Sequence, residues 1–123
     1  MRYMTDRKRA EGLGAARQGT HHHWQMMTGS IALAILMPIF IFTFGSALGG
    51  THAEVVAFFG RPFPAILTAL TLVVAVSHFK RETLEAVEDY VHGTTGKLLS
   101  FAVSALAYTL IAAGLFALIK LAL

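Results

Sequence analysis

Three stretches of this chain carry no Asp, Glu, Lys or Arg: between Arg17 and Glu54, between Arg61 and Lys80, and between Lys97 and Lys120. Inside them lie nearly continuous apolar bodies, Ile31 to Leu48, Pro62 to Phe79 and Leu98 to Ile119. At 1.5 Å rise per residue, helices of roughly 18 to 22 residues cover about 27 to 33 Å, the thickness of a bilayer's hydrocarbon core. A helix in a soluble bundle keeps one polar face for water, and these three have none to spare. Composition agrees: 55% of the 123 residues are hydrophobic and only 14% are charged, too apolar for a soluble domain of that size. The pattern predicts an all-α membrane protein with three transmembrane helices, spanning about residues 28–50, 62–79 and 98–120 of a single membrane domain, 25–123.

The charges that flank these spans suggest a topology. Arg2, Arg7, Lys8, Arg9, Arg17, Lys80, Arg81 and Lys97 fall on one side, and only Arg61 and Lys120 on the other. Because positive charge is retained on the cytoplasmic side, the N-terminus and the 80–97 loop are expected in the cytoplasm or its mitochondrial equivalent, with the C-terminus outside. The sequence pI near 9.6 follows from these flanking charges. They do not form a basic stripe interleaved with aromatics, so nucleic acid is not an expected partner. Residues 1–24 read as a basic cytoplasmic arm, retained and partly disordered, since Asp6, Glu11 and the lack of an apolar core argue against a cleaved signal.

Local punctuation agrees. Gly49 and Gly50 follow the first span, Pro62 and Pro64 suit the first turn of the second, and Gly93 and Gly96 precede the third. Pro38 lies inside the first span and is expected to bend it. Gly96, Ser100 and Ser104 recur every four residues, either as a ridge for close helix approach or as the small residues common in membrane helices.

Within this frame His78 is the most informative residue. A coordinating side chain near the end of a membrane span marks a pathway, relay or ligand, or else reaches back to the interface beside Lys80 and Arg81. One imidazole can serve as an axial ligand to haem iron, which needs a second ligand for electron transfer. His52 is expected across the membrane and His92 in the loop, so a second ligand would come from another subunit. The run His21, His22, His23 reads as an interfacial anchor with Trp24 rather than a metal site, because consecutive residues do not share a helix face. Asp89 and Tyr90 offer a phenol that can donate to a carbonyl oxygen and a carboxylate that can orient it; the same residues also suit a solvated helix end. On a continuous helix Asp89 returns to within about 20° of the face of His78, and Tyr90 lies about 120° away. No cysteine is present, so any thiolate-held zinc or iron–sulfur cluster must belong to a partner.

Three spans in about 120 residues, the pre-helix stretch GLGAARQGTHHHW, a histidine at the end of the second span and EDYVHG with Tyr90 twelve residues after it resemble the small hydrophobic anchor subunits of succinate dehydrogenase, the cytochrome b-binding D type of respiratory complex II. The resemblance covers nearly the whole chain. It implies one half of a heterodimeric anchor bundle, paired with a second three-helix anchor subunit and holding an iron–sulfur subunit and a flavoprotein subunit on the membrane. It implies that His78 is an axial ligand of haem b, that Tyr90 hydrogen-bonds a ubiquinone carbonyl oxygen and that Asp89 is its acidic neighbour. His21 or His22 matches the family's pre-helix histidine, and Trp24 the aromatic beside it. Where the family often has an arginine-containing segment this chain reads Gln25-Met26-Met27, which leaves that segment without a cation for a phosphate or haem propionate. By the same resemblance FAD and the clusters sit in partner subunits, succinate oxidation is theirs, and the chain belongs in a bacterial inner membrane, with a mitochondrial inner membrane as the alternative. A haem-free structural anchor and a fumarate reductase anchor are the competing functions.

Overall fold

The computed structural model describes residues 3–12 and 18–123. Arg2 and Arg17 of the charge count, and residues 13–17 of the pre-helix stretch, lie outside them. The described chain is helical, with α1 (Asp6–Glu11), α2 (Gly19–Gly45), α3 (His52–Phe59), α4 (Pro62–Tyr90) and α5 (Gly93–Ala122). Of these, α2, α4 and α5 are long and apolar enough to cross a membrane.

Each boundary has a local cause. Thr5 caps α1, its hydroxyl accepting from the Lys8 N–H at 3.2 Å, within the arm expected to be partly disordered. α2 begins at Gly19, ahead of the expected span, because nothing from Gly19 to Met27 interrupts a helix, and it runs through Pro38. α3 opens on a capping box: the Glu54 N–H donates to Thr51 Oγ1, while the Thr51 N–H and hydroxyl donate to the Glu54 carboxylate at 2.7 and 3.0 Å. Those two bonds hold the Glu54 carboxyl below the usual carboxylate range. A depressed pKa means the cap's contribution is complete above the ordinary carboxylate range and fades as pH falls through the lowered value. α4 starts with Pro62 in its first turn. Between α4 and α5 only Val91 and His92 are extended, and Gly93, at φ +74°, completes the reversal in a region that suits glycine.

α4 is the middle helix. It packs against α2 on one side and α5 on the other, while α2 and α5 do not touch. Buried positions concentrate on it: Pro64, Leu67, Thr71, His78 and Val87. Most large apolar side chains of the outer helices are exposed, among them Ile31, Phe42 and Phe116, as expected of surfaces facing lipid or other membrane chains. In such a setting helices associate through close van der Waals fit and small residues. A methyl group on Gly29 would lie 2.9 Å from His78 Nδ1, one on Gly114 would run into the Leu72 side chain, and one on Gly96 would run into the Val91 carbonyl. Gly96 meets the turn that precedes its own helix rather than another helix, and Gly114, which does meet another helix, lies beyond the series Gly96, Ser100 and Ser104. Because the obstacle at Gly96 is backbone, Gly96→Ala should destabilise by about 1–3 kcal/mol. Thermal inactivation of the detergent-solubilised complex should show it as a lowered midpoint, with Ser100→Ala near neutral.

These contacts fix the heights of the helices. Lys80 Nζ donates to the Tyr108 hydroxyl at 3.1 Å and lies 4.7 Å from that ring's centre; with Leu72 against Gly114 this sets α5 against α4. Gly29 beside His78, and His22 Nδ1 at 3.7 Å from Glu85, set α2 against α4. By these contacts about residues 28–45 of α2, 62–79 of α4 and 108–122 of α5 lie alongside one another. The apolar run of α5 begins at Leu98, about ten residues, or about 15 Å, before the level of Lys80.

Candidate functional site

The site begins with two buried polar side chains on α4, Thr71 and His78. Thr71 is satisfied within its own helix, its hydroxyl donating to the Leu67 carbonyl at 2.8 Å. His78 is not. Its Nδ1 is buried without a hydrogen-bond partner, turned toward Gly29 of α2. Its Nε2 lies 3.5 Å from Glu82 Oε1 on the next turn, with the histidine side chain 11% exposed. Nδ1 is thus closed off by α2.

Beside this ring, α2 and α4 enclose a groove of about 470 Å³. Ala32 and Val74 line its apolar part, and Trp24, Thr28, Ser77 and Arg81 its more polar part. His21 also reaches it. The Gln25 amide nitrogen stands 3.0 Å from His21 Nε2; an amide N–H can only donate, so the imidazole accepts. Arg81 thus brings a cation to a groove whose α2 wall, from His21 to Ala32, carries no lysine or arginine.

The three residues singled out from the sequence all lie on one unbroken helix. Asp89 and Tyr90 form its end, and both are exposed, Tyr90 at 85%. Tyr90 is twelve residues from His78, about 18 Å along the axis. The structure brings His78 together with Gly29 and Glu82, and does not bring Asp89 or Tyr90 to it. His21, His22 and His23 lie in the first turns of α2 and do not converge; His52 and His92 are exposed on other elements. Among the described residues no group of three or more His, Asp or Glu side chains is placed to hold a metal ion. A haem ligand pair asks only one imidazole of each chain.

Gly29, Glu82 and Arg81 were not singled out from the sequence. Glu82 had a readable signal, since it stands four residues after His78 on a helix. Gly29 had none, because only the packing of α2 on α4 shows which glycine meets the histidine.

The model of the succinate dehydrogenase/fumarate reductase transmembrane subunits matches residues 1–119. The succinate dehydrogenase hydrophobic membrane anchor subunit of Paracoccus denitrificans is 42% identical over 123 residues, covering all of this chain and 95% of that one. No solved structure matches. With three helices fit to cross a membrane and similarity along its whole length, the chain belongs to the succinate dehydrogenase/fumarate reductase transmembrane subunit family, as a multi-pass membrane anchor subunit of succinate dehydrogenase.

Proposed function

We propose that this anchor subunit contributes His78 as one axial ligand of a haem b and Tyr90, with Asp89, to a ubiquinone reduction site. The observation that carries the reading is the burial of the His78 imidazole on the central helix, with Nδ1 closed off against Gly29 and Nε2 the nitrogen left for a ligand bond. An imidazole nitrogen has the chemistry an axial ligand requires, and one buried histidine fits half of a two-histidine site. The second imidazole belongs to a second three-helix anchor subunit. When bound, the haem supplies one-electron redox chemistry in a low-dielectric setting.

The chain's own residues then have separate tasks. Gly29 leaves room for the ring, and Glu82 stands beside it on the next turn. Arg81 and His21 stand at the groove beside it, where a carboxylate of the bound group would find a cation and a hydrogen-bonding imidazole. At the far end of α4, the Tyr90 phenol donates a hydrogen bond to a quinone carbonyl oxygen. That bond strengthens as negative charge develops on the oxygen during reduction. Asp89 orients the phenol or passes protons from water, which reaches this exposed end of the helix. Flavin and iron–sulfur clusters lie in the flavoprotein and iron–sulfur subunits, where succinate is oxidised. The setting is a bacterial inner membrane, with the N-terminus in the cytoplasm.

The purified complex tests this directly. Its reduced-minus-oxidised spectrum should show a b-type haem, and succinate should reduce ubiquinone through it. Succinate-dependent quinone reduction with no haem band would instead make the chain a haem-free anchor. Since the family includes fumarate reductase subunits, faster turnover in the direction of quinol oxidation would assign it to that side.

A further inference from the structure

We infer that Glu82 is the residue through which this subunit sets the redox potential of the haem proposed for His78, its carboxylate favouring the oxidised form. The inference rests on the haem reading above and deepens it.

A protein tunes an axial imidazole from two sides. It offers a hydrogen-bond acceptor to the ring nitrogen that does not bind the metal, or it places a charge near the one that does. The first device is missing from this chain. Nδ1 of His78 is buried without a partner, and the residue that faces it on α2 is Gly29, which has no side chain to offer. The second device is present. Glu82 Oε1 stands 3.5 Å from Nε2, one helical turn away on the same face of α4. That separation is long for a hydrogen bond, so the carboxylate acts on the ring as a charge.

Nothing else in the chain cancels that charge. Among the described residues Glu82 stands within ion-pair distance of His78 and of no lysine or arginine. The two cations next to it on α4 are engaged elsewhere: Lys80 donates to the Tyr108 hydroxyl of α5, and Arg81 lines the groove shared with α2. Glu85, almost a turn further on, faces His22.

The direction of the effect follows from charge alone. Oxidised haem iron carries one more positive charge than reduced iron, so a carboxylate beside its ligand stabilises the oxidised form and lowers the midpoint potential. Glu82 keeps 52% of its side chain exposed, and water screens part of its field. At an effective dielectric constant between those of water and a protein surface, one charge a few ångströms from the ligand nitrogen changes the oxidised-to-reduced equilibrium roughly tenfold, about 59 mV for one electron.

The test is a redox titration of the haem band in the purified complex. In Glu82→Gln, which keeps the size and removes the charge, the midpoint should rise by about that amount. Glu82→Asp keeps the charge and should hold most of the native value, and Glu85→Gln should leave it nearly unmoved. The absorption maximum and the low-spin EPR signal should be the same in all three, since the ligand itself is untouched. An unmoved or lowered midpoint in Glu82→Gln would overturn the inference. So would an equal rise in Glu85→Gln, which would assign the effect to surface charge in general. Loss of the haem band in Glu82→Gln would also overturn it, by making the residue a requirement for binding. A native complex without a haem band would end the haem proposal and this inference together, whereas a haem whose midpoint ignores position 82 ends the inference alone.

Discussion

Replacement of His78 by alanine should remove the b-type haem band from the purified complex, lowering haem per complex more than tenfold while the soluble subunits still oxidise succinate with an artificial acceptor. Two observations and one consequence of the proposal set the size of the effect. His78 is the one buried histidine among the described residues, so no other imidazole on α4 or its neighbours can take its place. Its ring fills the space that Gly29 leaves on α2, and a water entering the vacancy would ligate iron far more weakly. In the proposed arrangement the haem joins two chains, so losing one of its bonds would weaken their association as well. A group bound only by the assembled state stabilises that state by mass action, and the thermal midpoint of the anchor pair should fall along with the absorbance. An unchanged spectrum in the alanine variant would place any haem elsewhere.

The second large effect belongs to Tyr90. Tyr90→Phe deletes one oxygen from a side chain that is 85% exposed and ends its helix, so it disturbs little within this chain. If the phenol donates to a quinone carbonyl oxygen, the loss of that donor as charge builds should slow ubiquinone reduction roughly 10- to 100-fold. Succinate oxidation with an artificial acceptor should stay near normal, because it never passes through the site. Equal loss in both assays would mean that the substitution disrupts assembly and that Tyr90 is a contact residue instead.

Much of the architecture was legible in the sequence, for a physical reason: a charge in hydrocarbon is so unfavourable that the gaps between charges outline the membrane-crossing helices. Helical class, the number of spanning helices and the position of His78 on the second of them all follow from that one rule. Heights and neighbours do not. That Leu98 stands level with the charged end of α4 depends on Lys80 meeting Tyr108 and on Leu72 fitting against Gly114, and such pairings are settled between helices rather than along one. The start of α2 at Gly19 was missed because a polar helical turn looks, residue by residue, like an arm. Gly96 was marked by its spacing with Ser100 and Ser104, while Gly29, the glycine that meets His78, stands in no such series. The orphaned Nδ1 could not be read from the sequence at all, since it depends on which atoms surround it.

The central place of α4 also bears on how the subunit is made. Among the three long helices α2 packs on α4 alone, and α5 does not meet α2. As the polypeptide leaves the ribosome, the first hydrophobic helix reaches the translocon with no native companion and must wait, dispersed in lipid, for the second. Once that one arrives, both hairpins form around it in sequence, each from adjoining stretches of chain. Biogenesis is thereby reduced to two local steps, with the imidazole lodged in the first of them before the last helix is synthesised.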